Sequence, residues 1–212
     1  MVYRYSQKLR RDPKRPVWVG VALLAVGIYI VLNAVSPMVP TSITPKQFQA
    51  KVSAQAPVLA ENRLYIPSIG VDVAIVQAKG NEAQALEQGA VQRKPQNGNP
   101  RDGGNFVLAA HRFNMGYTPW ATRAKSPFYH IDKVAVGDQM IVDYAGARYV
   151  YKVSEKQHVS PQAEEIENRT DDKRITLYSC ELGGSKAGRE VVIGELQGKL
   201  TWNGGEYQLV EE

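Results

Sequence analysis

Residues 139–155 read QMIVDYAGARYVYKVSE, and this stretch decides the fold class. Two runs of β-branched and aromatic residues flank Ala145-Gly146, a pair of small residues suited to a two-residue hairpin turn. In the second run, from Tyr149 to Val153, every second residue is large and apolar. That period of two is typical of a strand that buries one face. The stretch therefore predicts two antiparallel strands joined by a tight turn.

Further runs of the same character lie on both sides of this hairpin. They are short and bounded by Gly, Pro, Asn and Asp, whereas a good helical pattern in the body of the chain is confined to about 81–88. The fold is therefore predicted to be mainly β, a small closed barrel or a sandwich. The additional runs are RLYIP at 63–67, VDVAIV at 71–76, NFVLAAH at 105–111, RITLYSC at 174–180 and EVVIGELQ at 190–197.

Length and charge limit the possible functions. Without a basic tail and an apolar segment, the 212 residues leave room for one domain of roughly 150 residues. The net charge is +5, but six basic residues and one acidic residue lie within positions 1–16. Of the 26 basic and 21 acidic residues, the body keeps 20 of each and is formally neutral. No nucleic-acid partner is therefore expected, because a neutral body offers no electrostatic footprint for a polyanion.

An uncharged apolar segment, VWVGVALLAVGIYIVLNAV at 17–35, follows the basic tail. About twenty such residues cross the hydrocarbon core of a bilayer, so the segment is predicted to be a transmembrane helix. By the positive-inside rule the basic N-terminus stays in the cytoplasm and the following residues are exported. We therefore expect a single-pass type II protein of the cell membrane with an extracytoplasmic domain. A cleaved signal peptide, ending near Ala34-Val35-Ser36, is the alternative.

Cys180 is the only cysteine of the chain. An exported domain with one cysteine cannot form an internal disulfide and leaves a thiol in an oxidising compartment. The thiol is therefore either used chemically or is a small buried hydrophobic group, as free cysteines most often are. Its place at the end of the run RITLYSC, beside the glycine-containing residues 181–185, favours chemical use.

Two further strand ends carry residue types that a thiol nucleophile needs. His111 ends the run NFVLAAH, and Arg189 precedes the run EVVIGELQ. An ordinary thiol has a pKa of about 8.5, so an imidazole must help to form the thiolate, and it can then protonate a leaving amine. A guanidinium donates in a fixed fork that suits the oxyanion of a tetrahedral intermediate. We predict Cys180 as nucleophile with His111 and Arg189 as its partners, and the backbone N–H of Glu181 as a second oxyanion donor.

The motifs around these residues resemble those of the bacterial sortases. The Cys180 segment is similar to the family signature T-L-x-T-C, with Ser179 in place of the second threonine. The resemblance covers roughly residues 62–198, and the N-terminal apolar anchor also suits the family. The segments that carry it are TLYSC at 176–180, AHR at 110–112, Arg189 before Val191-Val192, LYIPSIG at 64–70 and Gly137-Asp138.

The resemblance implies a closed eight-stranded β-barrel with one or two short helices, preceded by the transmembrane helix. It also implies a cysteine transpeptidase that cleaves a C-terminal LPxTG-like sorting signal of a surface protein and holds that protein as a thioester on Cys180. The protein would then pass to an amine acceptor, which is a cell-wall precursor such as lipid II, a peptidoglycan cross-bridge or a pilin lysine. Ser179 and Glu181 are given roles in supporting the oxyanion or the substrate.

No cofactor or metal is expected. Some sortases bind calcium, so the carboxylates between 164 and 172 are an alternative cation site, but a solvated charge run is the simpler interpretation. Trp120 and Tyr117 lie in the long connection after His111. Ordinary loop packing is the first interpretation of these two aromatic side chains, and a cover over the substrate groove is the second. A long connection is also expected between Cys180 and Arg189.

The chain is predicted to contain five segments. Thr44-Pro45 should begin a short helix that carries Phe48 and Val52 on one face. The segments are a cytoplasmic basic tail at 1–16, a transmembrane helix at 17–36, an extracytoplasmic stalk at 37–60, a catalytic barrel at 61–200 and a C-terminal tail at 201–212.

Two alternatives to a sortase are kept. The first is a non-catalytic, membrane-anchored surface β-barrel in which Cys180 is incidental. The second is an L,D-transpeptidase-like peptidoglycan enzyme, whose pattern has an arginine two residues after the cysteine, where this chain has Leu182.

Overall fold

The computed structural model describes residues 15–39, 43–203 and 206–210, which contain four α-helices and ten strands. The helices are α1 (Arg15–Val35), α2 (Pro45–Ser53), α3 (Glu82–Leu86) and α4 (Pro119–Ala124). The strands are β1 (Arg63–Ile66), β2 (Val71–Gln77), β3 (Ala90–Arg93), β4 (Gly98–Asn99), β5 (Gly103–Ala109), β6 (Gln139–Tyr144), β7 (Ala147–Val159), β8 (Arg174–Glu181), β9 (Gly184–Asn203) and β10 (Glu206–Val210).

Eight of these strands close into a ring. The order is β1-β2-β3-β5-β8-β9-β7-β6, and β6 pairs again with β1. Two of the pairs, β2 with β3 and β5 with β8, are parallel, and the other pairs of the ring are antiparallel. β4 and β10 lie outside the ring, on β5 and β9. The predicted mainly β fold and eight-stranded barrel are confirmed.

The hairpin that decided the fold class forms as predicted. Tyr144 pairs with Ala147, and the two residues between them have positive φ angles, 48° at Ala145 and 77° at Gly146. Positive φ at both central positions defines a type I′ turn, whose twist matches that of the two strands. Ala145 accepts this conformation without being glycine, and its N–H donates to Oδ1 of Asn62 at 2.9 Å.

Two of the apolar clusters lie inside the barrel and on the outer face of three of its strands. Its interior is filled by inward-facing side chains from most of the ring strands, among them Phe106, Leu108 and Leu177. A second cluster lies on the outer face of β5, β8 and β9, where Val107, Tyr178 and other side chains pack with Ala163 and Ile166 of the β7–β8 connection. One face of these three strands is therefore covered from outside the barrel.

Two expectations about connections and ends differ from the structure. β9 begins at Gly184, so Leu182-Gly183 alone separate it from β8, and the long connection expected after Cys180 is wrong. The extra residues form a bulge instead, because Cys180 pairs with Arg189 while Glu181 pairs with Gly184. At the C-terminal end, where a tail was expected, Thr201–Asn203 continue β9 and Glu206–Val210 form β10.

α2 begins where the sequence predicted. The Thr44 side chain accepts from the N–H of Gln47, and the Gln47 side chain accepts from the N–H of Thr44, so the two form a capping box. Phe48 and Val52 are buried against Tyr65 and Ile141 of the barrel. The second half of the predicted stalk therefore packs on the barrel wall.

A buried ion pair holds this helix end. Arg148 donates through Nε and Nη2 to the two carboxylate oxygens of Asp143, at 2.6 and 2.7 Å, and through Nη1 to the carbonyl of Val52 at 2.6 Å. Burial first, and then the Asp143 charge, raise the pKa of Tyr65 to about 12, so its hydroxyl stays protonated and donates to Asp143. The buried charges of Arg148 and Asp143 are thus paired and hydrogen-bonded within the barrel wall.

Replacing Asp143 by alanine is expected to cost about 3–5 kcal/mol of unfolding free energy, because it removes the buried carboxylate to which the Arg148 guanidinium donates two hydrogen bonds. The measurement is urea denaturation of the chain lacking residues 1–42. Asp72→Ala is the matched control, since it breaks the partly exposed pair with Arg63 and should cost at most about 1 kcal/mol. Equal losses in the two variants would contradict this prediction.

Candidate active site

Strand register sets three of the predicted site residues in one row. Ala109 of β5 pairs with Tyr178 of β8, and the N–H of Ala110 donates to the Tyr178 carbonyl at 3.2 Å. Continuing this register by two residues puts His111 beside Cys180. On the other side of β8, Cys180 pairs directly with Arg189 of β9. Adjacent strands lie about 4.8 Å apart, so the row crosses three strands within roughly 10 Å.

Cys180 and Arg189 share one face of the sheet, and the alternation of β5, continued two residues past its end, puts His111 on the same face. Val107, Tyr178 and Val191 all belong to the outer apolar cluster, and successive side chains of a strand alternate between faces. Cys180 and Arg189 each lie two residues from a member of that cluster. Cys180 is exposed and the Arg189 side chain is partly exposed. The thiol is therefore open to a substrate lying on the outer face.

Arg189 lies against the aromatic ring of Tyr178. Its guanidinium carbon is 5.0 Å from the ring centroid, within the range of a cation–π contact. The Tyr178 hydroxyl donates to Oε1 of Glu167 at 2.5 Å, and the Arg93 Nε donates to the same oxygen at 3.0 Å. Burial first, and then Glu167, raise the pKa of Tyr178, so the phenol stays protonated. The hydroxyl end of the ring beneath Arg189 is thus fixed by Glu167, which Arg93 holds in turn.

Glu167 corrects one expectation. The sequence placed it in a solvated charge run between 164 and 172, but its side chain is buried and shared by Tyr178 and Arg93. The partners pull it inward because a buried carboxylate needs counter-charge and hydrogen bonds. Within the described residues, no group of three or more His, Cys, Asp and Glu side chains could hold a metal ion.

His111 is half-buried and lies next to a carboxylate. Its backbone carbonyl accepts from the N–H of Phe128 at 3.2 Å, which fixes the chain just after β5. Its Nε2 is 3.9 Å from Oε1 of Glu87. Desolvation by burial lowers the pKa of His111, Glu87 partly opposes this, and Lys125 adds to it. The imidazole is therefore neutral at neutral pH.

Glu87 was missed by the sequence analysis. It follows α3 directly and is held by Lys125 through an ion pair and by the amide of Asn114 through a hydrogen bond. The hydrogen bond from Lys125 is the largest of the effects that lower the pKa of Glu87. No sequence signal could have found it, because it lies 24 positions before His111 and both of its partners come from the connection after His111.

Arg112, the residue after His111, is buried, and 8% of its surface is exposed. Its Nη2 is 2.9 Å from Oδ1 of Asp132, and its Nη1 is 3.7 Å from Oε1 of Glu190. Glu190 is the neighbour of Arg189 in β9. The guanidinium therefore ties the segment after β5 to the start of β9, on either side of Cys180.

Ser179 and Glu181, the two other predicted site residues, lie outside the row that His111, Cys180 and Arg189 form. The Ser179 side chain alternates away from Cys180 and is 1% exposed, and its Oγ has no hydrogen-bond partner among the described residues. The structure does not bring this hydroxyl to the outer face. The backbone of Glu181 continues β8 beside Cys180 and pairs with Gly184. Its N–H, the part that the sequence analysis singled out, lies next to the thiol in the chain.

Comparison with known proteins identifies relatives of one kind. A family profile described as "Sortase domain" matches residues 64–197. YwpE of Bacillus subtilis (strain 168), a protein assigned to the sortases by name, is 28% identical over 96 residues, which are 44% of this chain and 83% of that protein.

Solved structures agree in fold. Sortase A of Listeria monocytogenes is 26% identical, with a TM-score of 0.52, over 69% of this chain and 92% of that one. A sortase D5 transpeptidase of Clostridium perfringens is 22% identical, with a TM-score of 0.54, over 74% and 91% of the two chains. At that lower identity the likeness concerns the fold alone.

Glu87→Gln is expected to lower the pKa of His111, because a negative charge that stabilises the imidazolium is removed. The pKa is read from an NMR titration of the imidazole signals, with the His111 signal assigned by its loss in His111→Gln. The control is Glu155→Gln, which removes the charge of an exposed carboxylate in β7 and should leave the His111 titration unchanged. An unchanged or higher His111 pKa in Glu87→Gln would refute this role.

Proposed function

This chain belongs to the sortase family, and from that premise we propose that it is a membrane-anchored cysteine transpeptidase in which Cys180, His111 and Arg189 carry the reaction. The observation that supports the proposal most is strand register, which pairs Cys180 with Arg189 and, continued two residues past the end of β5, puts His111 next to Cys180. The row has an exposed thiol at its centre and a cation and an imidazole on either side.

In the first step the Cys180 sulfur attacks the carbonyl carbon of the scissile peptide bond. His111 accepts the thiol proton, for which its neutral imidazole is the correct form. The carbonyl oxygen becomes an oxyanion. The Arg189 guanidinium and the N–H of Glu181 are the donors that stabilise it.

In the second step the carbon–nitrogen bond breaks and a thioester remains on Cys180. The proton that His111 received passes to the leaving amine. An acceptor amine then attacks the thioester carbonyl, and His111 takes up its proton as a new amide bond forms and the thiol is released. The partly exposed setting of Arg189 lets its fork reach either the oxyanion or a substrate carbonyl.

The substrate proposed is the C-terminal sorting signal of a surface protein, of the LPxTG type, cleaved between Thr and Gly. The acceptor proposed is an amine of a cell-wall precursor such as lipid II, of a peptidoglycan cross-bridge or of a pilin. A sortase C of Streptococcus pneumoniae, 21% identical with a TM-score of 0.51, is described in terms of pilin substrate specificity, which supports including the last of these.

The orientation proposed is type II, with the barrel outside the cytoplasmic membrane. Among the described residues, one helical segment is long and apolar enough to cross a membrane. It is Val17–Met38, most of α1 and the 3-10 turn after it, and its mean hydropathy is 2.2. The basic residues before it favour a cytoplasmic N-terminus. The five-segment division of the chain belongs to this proposal.

The enzyme should form an acyl adduct with a sorting-signal peptide. We would incubate the chain lacking residues 1–42 with a library of such peptides and measure the intact mass of the protein. An adduct on the wild type, absent from Cys180→Ala and released faster by added amine than by water, is the expected result. Without any adduct, and with slow alkylation of Cys180, the non-catalytic barrel becomes the better explanation.

Arg189→Ala should lower kcat/KM by about 10²–10³-fold, the usual effect of losing one oxyanion donor. Arg189→Lys should also be impaired, because lysine lacks the planar fork that lies on Tyr178. The control is Arg101→Ala, an exposed residue just before β5, at the end of that strand remote from His111. Full activity in Arg189→Ala would show that the oxyanion is stabilised elsewhere.

A further inference from the structure

The connection between β5 and β6 exposes an unusual set of large apolar side chains. We name residues 112–129 the α4 loop, since α4 lies at its centre. Tyr117 is 89% exposed and Trp120 is 80% exposed, and Phe113 and Met115 are at least 40% exposed. Ordinary loop packing does not describe Tyr117 and Trp120, because most of each side chain is exposed.

The same loop is fastened to α1. Thr122 is fully buried and donates through Oγ1 to Oδ1 of Asn33 at 3.4 Å, and Asn33 is itself 1% exposed. Arg123 donates through Nη2 to the carbonyl of Ser36 at 2.8 Å. Four residues before Asn33 in α1, the Tyr29 hydroxyl donates to the carbonyl of Tyr117. These contacts fix the height of the loop along the helix.

That height lies in the outer part of the bilayer. Tyr29 lies six residues before Val35, where α1 ends, so it is about 9 Å below the helix end at 1.5 Å per residue. The helix has 21 residues and is about 31 Å long, which matches a hydrocarbon core of about 30 Å. A helix that spans this core therefore holds Thr122 and Arg123 near the core boundary, where Asn33 and Ser36 lie, and carries Tyr117 just below it among the upper acyl chains.

The chemistry of the exposed side chains fits that zone. Tryptophan and tyrosine are enriched where membrane proteins meet the headgroups, because each combines an apolar ring with a polar group. Water is a poor environment for the four large apolar side chains that this loop exposes, Phe113, Met115, Tyr117 and Trp120. Lipid is the partner that the contacts with α1 bring to them.

We propose that the α4 loop inserts Tyr117, Trp120 and their apolar neighbours into the outer-leaflet interface beside α1, and thereby holds the catalytic face at the membrane surface. This inference rests on the membrane anchoring in the proposed function. The loop starts at the residue after His111, so its position on the membrane also sets the height of the Cys180 row. An acceptor amine carried by a membrane-bound molecule is then reached without leaving the surface.

The test uses the full chain in lipid vesicles and three single-tryptophan proteins. The first retains Trp18 within the spanning segment, and the second retains Trp120. In each, the other tryptophans are replaced by phenylalanine. The third lacks all native tryptophans and carries Leu59→Trp. Leu59 is exposed and lies against Gly146, in the hairpin turn at the barrel end opposite to the Cys180 row. Fluorescence is recorded with and without lipids brominated near the top of the acyl chain.

Loss of emission from Trp18 and Trp120, with none from Leu59→Trp, is the expected result. Quenching of Trp18 without quenching of Trp120 would overturn the inference while leaving the anchoring intact. Equal quenching of Trp120 and Leu59→Trp would also overturn it, since the barrel would then contact lipid without a preferred face. If Trp18 itself is not quenched, the anchoring fails and this inference fails with it.

A depth comparison separates insertion from surface contact. Lipids brominated near the methyl end of the acyl chain should quench Trp120 less than lipids brominated near the headgroup, because the loop enters only the interface. Equal lack of quenching by both lipids would place Trp120 in water. The adduct measurement reads catalysis and not lipid contact, so repeating it on the full chain in the same vesicles would recognise failure of the catalytic proposal separately.

Discussion

The parallel pairing of β5 with β8 is the constraint on which the site depends. A parallel pair runs in one direction, so the two strands end at the same edge of the barrel and bring His111 and Cys180 together there. The antiparallel pairing of β8 with β9 then returns the chain to the same edge and puts Arg189 opposite Cys180. Because side chains alternate along each strand, a shift of one residue in either register would turn one member of the row into the barrel interior. The apolar cores on both faces fix the register, since such a shift would also expose buried residues.

Charged residues outside the row of His111, Cys180 and Arg189 fix side-chain positions and charges that strand register alone leaves open. Arg189 is long and flexible, and its position is narrowed by the ring of Tyr178, which Glu167 and Arg93 hold from below. A hydrogen bond to a charged group contributes about 1.5–3 kcal/mol when buried, against 0–1 kcal/mol for an exposed ion pair. Glu167 is buried, so its two bonds outweigh the exposed pairs of the barrel surface in fixing the geometry. On the other side, Glu87 opposes the effect of burial on the pKa of His111.

The sequence predicted those features that local pattern controls. Alternation along Tyr149–Val153 and the turn at Ala145-Gly146 identified a hairpin, and the positions of Cys180, His111 and Arg189 at strand ends predicted that they would meet. β3 was missed because its four residues, AVQR, are too short to show a period, and their pairing with β2 and β5 is decided by contacts far along the chain. The burial of Glu167 was missed for a related reason. Its neighbours in sequence are polar, and only the fold brings Tyr178 and Arg93 to it.

The α4 loop joins the membrane anchor to the chemistry of the site through a short series of contacts. Its buried Thr122 meets Asn33 at the end of α1. Three residues later Lys125 pairs with Glu87, and Asn114 of the same loop bonds to the same carboxylate. Glu87 in turn lies 3.9 Å from the Nε2 of His111. The loop that fixes the barrel against the helix therefore also holds Glu87, the carboxylate that opposes the lowering of the His111 pKa by burial. A change in the seating of the loop on α1 would move Lys125 and Asn114 together, and the charge balance around the imidazole would change with them.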